Sequence, residues 1–99
     1  MPPIDHELSI SLVIWNGAKW LPDLLSSLLN QTYQDYFLMI IDNDSVDDSM
    51  QIVAKFLNDY PEVAGRSRVV KNKQNLGFAR AHNQGIAWTS SPYIMLLNQ

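Results

Sequence analysis

The chain has 99 residues, 46% of them hydrophobic and 17% charged, with a net charge of −3 and no cysteine. This suffices for one globular core or part of an α/β domain, and it excludes disulfides and thiolate metal sites. Seven Lys and Arg, scattered rather than striped, argue against a nucleic-acid partner, and no apolar run approaches the roughly 18 residues of a membrane span.

The opening, Met1-Pro2-Pro3-Ile4-Asp5-His6-Glu7, lacks the basic start and apolar stretch of a signal peptide. Residues 1–7 therefore read as a flexible amino terminus, and the cytoplasm as the default compartment. Residues 8–15 (LSISLVIW) are apolar and β-branched and are bounded by Asn16-Gly17, which predicts a central strand. Leu21, Leu24, Leu25, Leu28 and Leu29 recur at helical spacing, with Pro22 tolerated in the first turn, and predict a helix over roughly residues 19–30.

Residues 36–41 form the second predicted strand. Ser45 and Asp48 make a capping box ahead of the stripe Ile52, Val53, Phe56, Leu57 and Tyr60, and Pro61 stops that helix. Residues 67–71 are a short third strand. Asn75 caps a helix over about residues 76–89, whose Ala79, Ala81 and Gly85 permit close approach to a neighbouring backbone. After the Ser90-Ser91-Pro92 turn, residues 93–97 form a fourth strand. The β-α-β-α-β-α-β alternation predicts a parallel α/β sheet with right-handed crossovers, order 3-2-1-4, and helices on both faces.

Neither familiar phosphate signature is present. The chain lacks Gly-x-x-x-x-Gly-Lys-Ser/Thr, and the loop after the first strand carries one glycine where the dinucleotide fingerprint needs three. That loop offers Trp15 and Asn16, an aromatic face beside an amide, suited to stacking on a base and reading its edge; the same pair also suits a core aromatic followed by a turn. Asp42, directly at the second strand's end, has no local capping duty. Its carboxylate suits a base N–H or a ribose hydroxyl, or a buried ion pair. Asn75-Leu76-Gly77 opens a helix whose free N–H groups and dipole suit phosphate, with Arg80 adding charge; a capped helix with a solvated Arg80 explains the same residues. His6 falls in the tail and His82 reads as a packed or surface residue. No metal-ligand spacing and no Gly-x-Ser-x-Gly turn occur.

Taken together, LSISLVIWNG (8–17), LLNQTY (28–33), IDNDSVDDS (41–49) and NLGFARAHNQGI (75–86) resemble, in order and spacing, the amino-terminal half of glycosyltransferase family 2. Ile14-Trp15 stands where the family has Thr-Tyr. The last stretch is similar to the rhamnosyl- and galactofuranosyl-transferase-like branch. The resemblance implies a GT-A fold, with residues 8–99 as the donor nucleotide-binding part of a truncated domain that transfers a sugar, with inversion, from a nucleotide diphosphate. It implies that Ile14, Trp15, Asn16, Asp42, Asn43, Asn75, Gly77, Arg80 and Asn83 bind the nucleotide, with Trp15 flanking the base, Asp42 and Asn43 by base and ribose, and the 75–83 stretch beside the diphosphate. Asn43 departs from the Asp-Asp of many members and leaves the base open.

By the same resemblance, the run 96–99 leads into an Asp-x-Asp motif beyond Gln99 that holds Mg²⁺ or Mn²⁺, so this chain carries no metal ligand and no catalytic residue and is inactive alone. The implied partners are a nucleotide-diphosphate sugar and a glycan or lipid-linked acceptor, in cell-surface polysaccharide synthesis, with the full-length protein cytoplasmic or peripheral at the inner membrane face. An edge strand at 93–97 is expected to drive self-association. A rival reading is a receiver-like phosphate- or cation-binding module using residues 42–48. It expects acidic residues after the first strand too, where Trp15 and Asn16 stand. Another is a structural fragment whose loops only cap helices.

Overall fold

The computed structural model describes residues 6–98. Its elements are β1 (Leu8–Ile14), α1 (Leu21–Leu29), β2 (Tyr36–Asp42), α2 (Ser49–Asp59), α3 (Pro61–Ala64), β3 (Ser67–Lys71), α4 (Phe78–Ile86) and β4 (Tyr93–Asn98). The four strands form one sheet in the order β3-β2-β1-β4, every pair parallel. Ile14 pairs with Asp42 and Asp42 with Lys71, so β1, β2 and β3 end level with one another at one edge.

All seven residues of β2 are buried, as a strand covered on both faces requires. Alternate side chains supply two cores. Ile10, Leu12, Ile14, Leu38 and Ile40 pack with Leu21, Leu25, Leu28, Val53 and Phe56 of α1 and α2, while Val13, Phe37, Met39 and Ile41 pack with Ala81 of α4. The period-2 pattern of the strands thus distributes the helices between the two faces.

Several boundaries differ from those predicted. α1 starts at Leu21 rather than at 19, and α4 spans Phe78–Ile86 rather than 76–89. Pro61 stops α2 as expected and also begins the unpredicted α3, because its fixed φ and missing N–H suit the first position of a helix. The predicted capping box does not form: α2 begins at Ser49, and its N-cap is Asp48, whose side chain makes no capping hydrogen bond. Asn75 is likewise not the cap of α4, a position held by Gly77 with φ +82°, a left-handed conformation that favours glycine.

α4 lies close to the sheet at Gly85, where a Cβ would sit 3.1 Å from Ile41 Cδ1 and 3.3 Å from Ser11 Oγ. One turn earlier, His82 is buried. Its Nε2 faces Asn98 Oδ1 at 3.2 Å and its Nδ1 faces Ser11 Oγ at 2.8 Å. An amide oxygen only accepts, so Nε2 carries a proton toward Asn98, while Nδ1 and the Ser11 hydroxyl satisfy each other in the interior. Replacing His82 with Leu leaves a buried hydroxyl without this partner and is expected to cost about 1–3 kcal/mol. Thermal melts check this, and an unchanged melting temperature would contradict it.

Candidate functional site

The loops after β1, β2 and β3 meet at the carboxyl edge of the sheet, where open parallel sheets place ligands. The first two loops are tied by four hydrogen bonds. Asn16 N–H donates to Ser45 Oγ (2.8 Å), Gly17 N–H to Ser49 Oγ (2.9 Å), Ala18 N–H to Asp47 Oδ2 (3.1 Å) and Val46 N–H to Asn16 Oδ1 (2.8 Å). Ser45 thus serves the neighbouring loop rather than its own helix, and for this reason the capping box does not form. Asn16 makes the tie with φ 48°, a left-handed turn that asparagine tolerates.

Asp47 also accepts from the N–H and hydroxyl of Ser49. Partial burial pushes its carboxyl up, but the bonds from Ser49 and Ala18 outweigh that and hold it below its ordinary value of 3.8. A depressed folded value contributes stability that is present above the ordinary value and lost as pH falls toward the folded one. The melting temperature of Asp47→Asn is therefore expected to lie below wild type at pH 7, with the gap closing on acidification below about pH 4. A gap of equal size at pH 3 would contradict this. Asp47 and Asp48 both precede α2, not within its first turn.

Asp42 is fully buried. Its Oδ2 accepts from Ser45 N–H at 3.0 Å and lies 3.5 Å from Lys71 Nζ, while its Oδ1 has no hydrogen-bond partner among the described residues. Asn43, also buried, binds the third loop: Oδ1 accepts from Leu76 N–H at 3.3 Å and Nδ2 donates to Gly77 O at 3.2 Å. Asn75 Oδ1 accepts from Gly77 N–H at 2.8 Å, closing an Asx turn. With no side-chain cap on α4, the N–H groups of Phe78, Ala79 and Arg80 have no partner within the helix.

A cleft of about 300 Å³ opens here, lined by Trp15, Asn43, Asn75, Gly77 and Phe78. Trp15 and Phe78 are each about half exposed (47% and 52%). Of the predicted site residues, Trp15, Asn43, Asn75 and Gly77 meet in this cleft. Asn16 turns to Val46, Asp42 is covered, Ile14 faces the α1/α2 core, and Arg80 and Asn83 are exposed on α4 outside the lining. Phe78 escaped the sequence reading, although an aromatic immediately after a helix-opening glycine was the available signal. Two larger depressions, of about 360 and 550 Å³, lie away from this edge. One sits in the α1/α2 groove and the other beside Gln34, Tyr60 and Arg66. The smaller cleft is favoured because it adjoins the carboxyl ends of the strands.

Among the described residues, no group of three or more His, Cys, Asp or Glu side chains is placed to hold a metal ion. Among the described residues, no helix is long and apolar enough to cross a membrane.

The described architecture superposes on *S. aureus* TarS 1-349 with a TM-score of 0.79, at 21% identity, covering 94% of this chain and 27% of that one. It also superposes on the mannosyltransferase PcManGT from *Pyrobaculum calidifontis* with a TM-score of 0.75, at 18% identity, covering 86% of this chain and 27% of that one. The TarS fragment has been solved with UDP and with UDP-GlcNAc, and PcManGT with GDP-Man and Mn²⁺. The shared fold is the GT-A arrangement, with all strands parallel in the order 3-2-1-4.

In sequence, the chain is 26% identical to a cholesterol galactosyltransferase of *Borreliella burgdorferi* over 96% of its length, spanning 26% of that protein. It is 30% identical to glycosyltransferase GlyG of *Streptococcus pneumoniae* over 92% of its length, spanning 29% of that protein. The chain thus spans about a quarter of the length of these curated relatives. Neither singles out the rhamnosyl- and galactofuranosyl-transferase-like branch. The sequence model described as "Glycosyl transferase family 2" matches residues 9–99. The chain belongs to glycosyltransferase family 2.

Proposed function

We propose that this chain is the donor-nucleotide-binding part of an inverting glycosyltransferase. The observation that carries the reading is the cleft of about 300 Å³ between Trp15 and Phe78, floored by amides and bordered by the uncapped start of α4. A base stacks against the aromatic walls, an interaction worth about 1–3 kcal/mol per base. The diphosphate lies toward the N–H groups of Phe78, Ala79 and Arg80, where the helix dipole favours negative charge and the Arg80 guanidinium adds to it. Asp42 supplies a charged acceptor for a base N–H or ribose hydroxyl once the groups covering it part.

In the transfer, the acceptor hydroxyl oxygen bonds to the anomeric carbon on the face opposite the leaving diphosphate. The carbon–oxygen bond to the diphosphate breaks, and the hydroxyl proton passes to a general base. This chain's part is to bind and orient the donor and to stabilise the diphosphate as it gains charge. The general base, and carboxylates for Mg²⁺ or Mn²⁺, are proposed to come from the rest of a full-length protein, as is recognition of a glycan or lipid-linked acceptor.

Thermal shift with UDP, GDP and dTDP tests the reading. A ligand that binds only the folded chain raises stability by about 2.7 kcal/mol at a hundredfold excess over Kd. A rise that vanishes in Trp15→Ala supports the site, and no shift with any of the three at millimolar concentration overturns it.

The sheet edge at β4 exposes Tyr93, Met95 and Leu96, and we propose that it pairs with a second copy when the chain is alone. Sedimentation is expected to show mass rising with concentration, and Leu96→Lys to suppress the rise. A monomer throughout would contradict the pairing.

A further inference from the structure

We propose that Gln84, on α4 and outside the cleft lining, is a positioning residue that holds the cleft wall in its binding shape through a chain of side-chain amides. The inference rests on the donor-site reading above for its functional consequence and on hydrogen bonds alone for its mechanism. Gln84 and Asn72 form a reciprocal amide pair: Asn72 Nδ2 donates to Gln84 Oε1 at 2.8 Å, and Gln84 Nε2 donates to Asn72 Oδ1 at 2.9 Å. The second hydrogen on Asn72 Nδ2 goes to Asn43 Oδ1 at 3.0 Å. Asn43 in turn grips Leu76 N–H and Gly77 O, and both Asn43 and Gly77 line the cleft.

The direction of this chain is forced from its cleft end. Leu76 N–H can only donate, so the Asn43 atom facing it is the oxygen. Gly77 O can only accept, so the Asn43 atom facing it is the nitrogen. Asn72 must then present N–H to Asn43 and its oxygen toward Gln84, and a donor is required at Gln84 Nε2. A glutamate there still accepts from Asn72 Nδ2 but loses the donor: with Asn72 as it stands, the second carboxylate oxygen faces the Asn72 oxygen, and with the Asn72 amide turned over, the Asn72 oxygen faces the Asn43 oxygen. The backbone of Asn72 is anchored independently by its N–H to Asp42 O at 2.8 Å, so the side-chain chain orients the loop rather than holding the strand together.

The acceptor capacity of Asn43 Oδ1 is spent on Asn72 and Leu76. This residue therefore shapes the cleft rather than offering its oxygen to a ligand. That division of labour explains why a half-buried glutamine on the far side of the loop bears on binding.

Gln84→Glu and Gln84→Met in the full 99-residue chain test the inference, with hydrogen exchange and UDP as probes. The expected result in Gln84→Glu is at least tenfold faster exchange at Leu76 N–H and a UDP Kd raised about tenfold, with exchange of the Ile10 and Ile40 amides unchanged. Gln84→Met, which removes both amide partners of Asn72 without adding charge, changes both in the same direction, and it decides the matter if Gln84→Glu disturbs the core amides. In an Asn72→Ala background, the further effect of Gln84→Glu falls below twofold. Wild-type exchange at Leu76 in both Gln84 variants, or full additivity with Asn72→Ala, overturns the positioning role. Absence of UDP binding by the wild-type chain overturns the donor-site reading instead, and the exchange measurements still decide the amide chain.

Discussion

Asp42→Asn is expected to weaken nucleoside diphosphate binding by at least tenfold while leaving the fold intact. The carboxylate is fully buried at the end of β2, with Oδ2 receiving Ser45 N–H and Oδ1 receiving nothing from the described residues. A buried acceptor without a donor is costly, and a ligand hydroxyl or N–H relieves that cost. Asparagine keeps an oxygen for Ser45 but surrenders the charge. The loss is that of a charge-assisted hydrogen bond, about 1.5–3 kcal/mol, or roughly 10- to 150-fold in Kd. Asp42→Ala also strands Ser45 N–H and is expected to abolish binding. Calorimetric titration with UDP and GDP reads both variants. Wild-type affinity in Asp42→Asn would reduce Asp42 to a neighbour of Lys71, 3.5 Å away, with no part in binding.

The largest expected effect on stability is at Gly85. A Cβ there sits 3.1 Å from Ile41 Cδ1, 3.3 Å from Ser11 Oγ and 3.5 Å from Met39 Cβ, and Leu adds three more carbons to that contact. Gly85→Leu is expected to cost about 1–3 kcal/mol or more through overpacking. At roughly 4–8 °C per kcal/mol for a domain of this size, the melting temperature falls on the order of 10 °C. Gly85→Ala is expected to be close to neutral, because about 1 kcal/mol of helix propensity offsets a contact with the flexible end of Ile41. Scanning calorimetry distinguishes the two. Equal melting temperatures for both variants would mean that α4 does not rest on the sheet as described. Because α4 carries Phe78 and is entered through Gly77, the same substitution should also loosen the cleft.

The sheet was legible because its causes are local. Residues 12–14 and 37–41 are apolar on both faces, as a strand covered on both sides requires, and the intervening leucines repeat at helical spacing. The helix starts were less legible because they depend on partners distant in sequence. Ser45 looked like a cap for its own helix, yet its hydroxyl accepts from Asn16, 29 residues away. Asn75 looked like a cap and instead bends its own loop through Gly77. That Trp15, Asn75 and Gly77 would gather at one edge was legible from their position at a strand end and before a helix, and Asn43 joins them in the same cleft. Asp42 was singled out correctly as lying at the strand end, but its complete burial and its contact with Ser45 depend on how the loops fold over it. Asn72 and Gln84 left no sequence signal, since a reciprocal amide pair across 12 residues has no spacing rule.

The claim that the carboxyl edge of the sheet binds a nucleoside diphosphate is tested most directly by mapping NMR shifts of backbone amides during titration with UDP and GDP. The expected result is saturable shifts at Trp15, Asn43, Asn75, Gly77 and Phe78, extending to Ala79 and Arg80 as the diphosphate meets the start of α4. Shifts confined to the opposite edge, around Gln34, Val63 and Arg66, or no shifts at millimolar ligand, would contradict it.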